Sequence, residues 1–455
     1  MKLNDNFVAS TRALFGEERY KYFSSALCEE PVVSVRVNPS KRAAVEVQGD
    51  SVPWATDGFY LQERPLFTAD PLFHAGCYYV QEASSMFLEQ VVRQYVQEPV
   101  RALDLCAAPG GKSTHLLSVL PVGSLLVANE PMPLRAQVLA ENIIKWGSPA
   151  AVVTKNEPAD FASLHDFFDL IVVDAPCSGE GMFRKDAFAV EQWSTSVVKQ
   201  CVERQRTILS DIWHALRPGG LLVYSTCTFN RNEDEDCVAW IANELGAEFL
   251  PVAVEPGWGI TGNLVGDGNP VYRFIPGYTR GEGFFIAVLR KNGGAPLFRP
   301  RASRIQACPV KIRKEVESWL KQPDTFEICL QGDTIVAIPR DHFAAITTLQ
   351  SNLRLLHSSL PLAVIKNNKL LPLHSLSMSV QCRKEAFPTV ELEREQALAY
   401  LHRETLNLPD APMGILLLTY KGEAIGFAKN VGNRANNLYP AEWRIRKNPM
   451  EFIIY

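Results

Sequence analysis

The chain has 455 residues, 47% of them hydrophobic, and a net charge of −4. That length calls for two to four domains with ample core, and the absence of any long run without polar breaks excludes a membrane span. Ten cysteines with no CxxC pair and eight histidines without ligand spacing argue against a disulfide scaffold and against structural zinc.

The N-terminus lacks a basic segment followed by an apolar stretch, so the cytoplasm is the default location. Phe7, Leu14, Phe15, Tyr20 and Phe23 fall near helical spacing and predict a helix over 5–27. PVVSVRVNPS (31–40) alternates apolar with polar residues and meets Pro39, the pattern of a strand. These elements imply a small α+β domain over 1–95. Over 96–293 the runs RALDLC, SLLVANE, DLIVVDAP and GLLVYSTC alternate with helical stretches, which predicts a parallel α/β sheet.

DLCAAPGGKSTHL (104–116) opens that domain. A phosphate loop needs glycine where Cys106 stands, and the dinucleotide fingerprint is absent. What remains is a strand over 102–106, a turn of small residues and a helix starting near Lys112 or Ser113, which lets a ligand approach the backbone closely. Glu130 closes the next strand, 19 residues after Gly111, the offset at which a carboxylate accepts ribose hydroxyls. A nucleoside without a pyrophosphate fits, and S-adenosylmethionine (SAM) is the commonest such cofactor.

Two later strands end in chemistry. Leu170–Val173 lead into Asp174 and the Pro176–Cys177 pair; Leu221–Thr226 lead into Cys227. Each thiol alone reads as a small buried hydrophobe. Together, at the carboxyl edge of a sheet where ligands sit, they suit methylation of a pyrimidine ring carbon. A cysteine thiolate adds to the neighbouring carbon and makes the target carbon nucleophilic, and a partly buried carboxyl steadies the adduct. Arg184 and Lys185 read either as a solvated helix start or as phosphate contacts beside the target base. NRNEDED (230–236) predicts a helix start satisfied by carboxylates rather than a metal site.

KNGGAPLFRPRASR (291–304) reads as a linker. Two smaller units follow, over 294–380 and 381–455, with a break near 375–385. In the second, YKGEA predicts a hairpin turn. From residue 301 onward 20 Lys and Arg face 15 Asp and Glu, a surplus of the kind that meets a polyanion. A chain ending near residue 293 is expected to keep the cofactor site, provided that the removed units do not cover the core of the central domain.

DLCAAPGGKSTHL, VDAPCSGEGMFRKD and LRPGGLLVYSTCT resemble the signature blocks of the Nol/Nop/Sun family of RNA cytosine-5 methyltransferases. The likeness runs from SVRVNP through CYYVQEASSM to the end of the central domain. LLLTYKGEAIGFAKN and NNLYPAEWR resemble the C-terminal region of its small-subunit ribosomal RNA enzymes, where a PUA-like RNA-binding module closes the chain. The resemblance implies a Rossmann-like SAM-dependent methyltransferase sheet, with the small α+β domain before it and the PUA-like region after it. It implies Cys227 as nucleophile and Cys177 as the group that releases product. Cys106, Ala107, Ala108, Pro109, Gly110, Gly111 and Lys112 would wrap the methionine part of SAM, and Glu130 the ribose. Asp174 would lie near the sulfonium and the cytosine, and Lys112 would also reach the base. The family's usual aspartate after the third strand is missing, which leaves Glu157 or Asn156 for the adenine. The implied partner is ribosomal RNA, naked or in the small subunit, with a monomeric protein and no metal. Transfer RNA is the rival substrate. A SAM-binding RNA chaperone is the rival class, and retention of both cysteines with Asp174 argues against it.

Overall fold

The computed structural model describes residues 3–294, 298, 305–367 and 369–446. The expected linker at 291–304 lies mostly outside them. The N-terminal helix runs Asp5–Ala26, and Asn4 caps it by accepting from the Asn6 N–H at 2.9 Å. It is not one straight rod: Gly16 takes φ 76°, and the axis breaks there. Strands β1 (Ser34–Val37), β2 (Gly49–Ser51), β3 (Gly58–Leu61) and β4 (Tyr78–Val80) form an antiparallel sheet in the order β2-β3-β1-β4.

The central sheet holds β5 (Arg101–Asp104), β6 (Leu125–Asn129), β7 (Ala151–Thr154), β8 (Phe168–Asp174), β9 (Leu216–Thr226), β10 (Ala247–Phe249), β11 (Val271–Phe274) and β12 (Phe284–Lys291). Strands β5 to β9 are parallel, and β12 runs antiparallel beside β9. A further strand, β16 (Leu355–Ser358), arrives from far along the chain and completes the order β10-β12-β9-β8-β5-β6-β7-β16, with β11 on β12. Both faces are covered, which is why Leu170–Val173 read as an unbroken apolar run and are buried throughout. The chain leaves β5 towards β6 and β7, then returns to β8 and β9 on the other side. This reversal opens a crevice at the carboxyl ends of β5 and β8.

After β12 come β13 (Gln306–Ala307), β14 (Phe326–Gln331), β15 (Thr334–Pro339), β17 (Leu360–Lys366) and β18 (Lys369–Pro372), a sheet of five. The unit expected over 294–380 does not stand apart. It lends β16 to the central sheet, and its Ile338, Ile346 and Leu349 share one core with Phe161, Leu164 and Phe167. The last sheet is β19 (Thr389–Glu391), β20 (Gly414–Tyr420), β21 (Glu423–Asn430) and β22 (Ala435–Asn437). Its hairpin turns at Lys421–Gly422, both at positive φ, as a two-residue connection between twisted strands requires.

Four packed contacts close the units into a ring. Phe7 and Phe23 of the first helix pack on Phe183 and Phe229 of the central domain. That domain shares a core with the unit of β13–β18. Leu417 and Phe427 join that unit to the last sheet. Leu416 and Tyr400 then join the last sheet back to Val35 and Leu72.

Candidate active site

The turn after β5 is built for close approach. Gly110 takes φ 117° and precedes the helix Gly111–Val119; a side chain there would be strained and would meet Leu139 at 3.3 Å. The N-terminal domain braces this helix. Arg36, buried, donates to Thr114 Oγ1 at 2.6 Å and to Gln81 Oε1 at 2.8 Å, and lies over the Trp146 ring.

Beside the turn lies a cleft of about 760 Å³, walled by Cys106, Ala108, Glu130, Glu157, Asp174, Cys177 and Cys227 among others. The sequence scattered these residues over more than 120 positions, and the strand ends bring them together. Across the same turn a compartment of about 190 Å³ is walled by Tyr79, Gln81, Asp104, Ala107, Pro109, Gly111, Lys112 and, again, Asp174.

Glu130 is buried at the cleft wall. One oxygen accepts from the Met132 N–H at 3.0 Å; the other is 3.4 Å from Arg135 Nη2. Lys112 Nζ lies 2.8 Å from Asp174 Oδ2, while Ser225 Oγ donates to Asp174 Oδ1 at 2.8 Å. Burial alone would lower the Lys112 pKa, but Asp174, with Asp104 and Cys227 behind it, outweighs burial and holds the ammonium above its ordinary value. The Cys177 and Cys227 sulfurs are 3.3 Å apart. The hydrogen bond to Cys227, and burial after it, push the Cys177 pKa well up, so Cys177 holds its proton. Burial also keeps Cys106 a neutral thiol.

Two of the expected residues are engaged by other parts of the chain. The Asn156 side chain donates to Arg354 O at 3.1 Å and accepts from the Arg354 N–H at 3.1 Å. It fastens the segment before β16, and Glu157 is the member of the pair that lines the cleft. Arg184 is not a free phosphate contact. Its side chain is buried, donating to Glu282 Oε2 at 2.9 Å, Ala26 O at 3.1 Å and Gly281 O at 2.9 Å. Lys185, partly exposed, sits 3.6 Å from the same Glu282.

One residue escaped the sequence reading. Asp104 is fully buried; Ser113 Oγ donates to its Oδ2 at 2.6 Å, and its Oδ1 has no partner. Burial pushes its carboxyl up to about 7, against the pull of Ser113 and Lys112. The signal was available, since Asp104 closes an apolar strand just as Asp174 does. The acidic run at 233–235 is also more than a helix start: Asp234 and Glu235 are buried against Arg273.

The parallel sheet with its crevice, turn and closing carboxylates defines a Rossmann-like methyltransferase. Residues 94–290 match the family described as 16S rRNA methyltransferase RsmB/F, residues 3–83 the N-terminal domain of 16S rRNA methyltransferase RsmF, and residues 387–445 the methyltransferase RsmF PUA domain. The ribosomal RNA small subunit methyltransferase F of Klebsiella pneumoniae (strain 342) is 31% identical, over 92% of this chain and 91% of that protein. That of Enterobacter sp. (strain 638) is 30% identical, over 96% and 95%. The crystal structure of a methyltransferase homolog from Pyrococcus horikoshii aligns with a TM-score of 0.54 and 28% identity, over 63% of this chain and 95% of that one. The chain belongs to the RsmF family of methyltransferases.

Proposed function

We propose that the protein uses SAM to methylate the fifth carbon of a cytosine in 16S ribosomal RNA, through a covalent bond between Cys227 and the base. The pair of thiols 3.3 Å apart at the wall of the cofactor-sized cleft carries this reading. The names of the relatives, the PUA-domain match and the basic C-terminal third support RNA, and small-subunit RNA in particular, as substrate.

The residues fit the cofactor. Glu130 and Glu157 line the cleft where a ribose and an adenine would lie, and the turn 106–111 offers backbone to a methionine tail. The orphaned Oδ1 of Asp104 is a buried acceptor awaiting a cation, which an α-ammonium group satisfies. When bound, SAM supplies an electrophilic methyl group.

The chain's own residues do the rest. Cys177, which holds its proton, is the donor available to the Cys227 sulfur 3.3 Å away. Cys227 adds to the sixth carbon of the ring, and the electron pair of the double bond moves towards the third nitrogen. The Lys112–Asp174 pair faces that charge. The fifth carbon, now electron-rich, accepts the methyl. Once Cys227 is bonded to the base, Cys177 is freed of the sulfur that held its proton. It ionises to solvent and takes the proton from the fifth carbon. The ring double bond re-forms as the carbon–sulfur bond breaks, and Cys227 leaves as thiolate.

Cys227→Ala is expected to abolish methylation of 16S RNA, read by bisulfite sequencing, with SAM affinity by calorimetry nearly unchanged. Cys177→Ala is expected to trap a protein–RNA adduct that survives denaturing electrophoresis. Activity that persists in Cys227→Ala but is lost in Cys177→Ala would exchange the two roles.

A further inference from the structure

Glu233 lies outside the reaction just described, yet it touches the turns that carry both thiols. It is fully buried. Its Oε2 accepts from the Ser178 N–H at 3.0 Å and from Gln205 Nε2 at 2.8 Å, and its Oε1 from Asn230 Nδ2 at 2.7 Å. Gln205 Nε2 also donates to Pro176 O at 3.1 Å. Glu233 therefore grips both neighbours of Cys177, Ser178 directly and Pro176 through Gln205. On the other side, Asn230 donates to Thr228 Oγ1 at 2.9 Å, and the Ser178 and Thr228 hydroxyls are 3.0 Å apart. Thr228 follows Cys227 in the chain. The two turns are thus fastened together by one carboxylate and four polar side chains.

The two cysteines are placed by unequal means. Cys227 follows β9, which is paired on both sides, and its carbonyl accepts from the Gly181 N–H at 2.8 Å. Cys177 stands three residues beyond β8 in a turn without regular structure, so its position depends on its neighbours' bonds. We propose that Glu233 is a positioning residue that sets Cys177 against Cys227 and is needed for release of the methylated base more than for methyl transfer. This rests on the roles proposed above for the two cysteines.

The chemistry of the substitution favours a clean test. All three groups that meet the Glu233 carboxylate are donors. Glu233→Gln keeps the shape but turns an NH2 towards one of them, which breaks a buried bond. Displacing a reacting group by a fraction of an ångström slows its step by about tenfold or more. Release should suffer and addition should not.

The experiment incubates full-length protein with 16S RNA and SAM and follows single-turnover methylation, multiple turnover and denaturant-resistant adduct. Glu233→Gln is expected to keep single-turnover methylation and SAM affinity near wild type. It should slow multiple turnover by about tenfold or more and accumulate adduct as Cys177→Ala does. Gln205→Met, a milder change, is expected to move the same readouts in the same direction. Wild-type turnover without adduct in both variants overturns the proposal. So does parallel loss of SAM binding and single-turnover methylation, which marks a merely structural role. If Cys177→Ala itself forms no adduct while wild type methylates, the release role of Cys177 fails first, and the clamp falls with it.

Discussion

Asp104 and Asp174 close neighbouring strands and share one compartment, yet their partners differ. Asp174 is matched by Lys112 and Ser225, whereas Asp104 has one oxygen bonded and one bare. With its carboxyl raised to about 7 by burial, Asp104 is largely protonated in mildly acidic solution. A bound ammonium favours the carboxylate, so binding lowers that pKa and expels a proton. SAM affinity is therefore expected to fall as pH drops below about 7, approaching about tenfold per pH unit. Asp104→Asn is expected to flatten the profile. Calorimetry over that range decides; a flat wild-type curve would place the ammonium elsewhere. Arg184 is the opposite case, a cation whose guanidinium is taken up by partners within the fold. Its loss leaves Glu282 buried with Lys185 3.6 Å away. Arg184→Ala is expected to cost about 3–5 kcal/mol of stability, seen in urea unfolding, and to leave the salt dependence of RNA binding intact.

Among the elements, β16 is the one that sequence could not place. Its residues, Leu355–Ser358, are too few to carry a period, and nothing local says that they pair with β7, 200 residues earlier. Asn156 makes the junction by matching both backbone groups of Arg354. Asn156→Ala is expected to destabilise the fold by about 1–3 kcal/mol while sparing SAM affinity. Glu157→Ala is expected to do the reverse. Affinity lost in the first and kept in the second would return the adenine to Asn156. The elements that were legible share a property. The apolar runs ending at Asp104, Glu130, Asp174 and Cys227 are buried on both faces, so hydrophobicity and a closing polar residue mark each one. The break at Gly16 was hidden because the apolar stripe continues across it.

At the scale of the molecule, the ring of shared cores changes what a truncation means. A chain ending near residue 293 would keep every residue of the cofactor cleft. It would also strip β16 from the edge of β7 and Ile346 and Leu349 from the central core, and would bare Val35 and Leu72. Exposed edges and apolar patches of that kind aggregate. Deletion of 296–455 is expected to give a protein that elutes as aggregate and binds SAM poorly, rather than a cofactor-binding enzyme weakened only towards RNA. A monodisperse fragment with wild-type SAM affinity would show that the cores are independent. The RNA contribution of the basic tail is better tested by reversing exposed charges such as Lys429 and Arg434 in the full chain, with a shallower salt slope expected.

Local pattern determined the sheet and the residues at its carboxyl edge, because strand periodicity and the small-residue turn are written in contiguous sequence. It marked Asp174, Cys177, Glu130 and Cys227 as residues of one sheet edge before any distance was known, and all four line the same cleft. Only the tertiary structure decided which polar groups were free for chemistry. Asn156, Arg184 and Glu233 have the same side chains as a ligand contact, a phosphate contact or a solvated acid would have. What separates those roles is the partner each one meets across the fold: Arg354, Glu282, and the backbone beside Cys177. A buried polar group must be matched, and the group that matches it is chosen by packing, which no local stretch of sequence records.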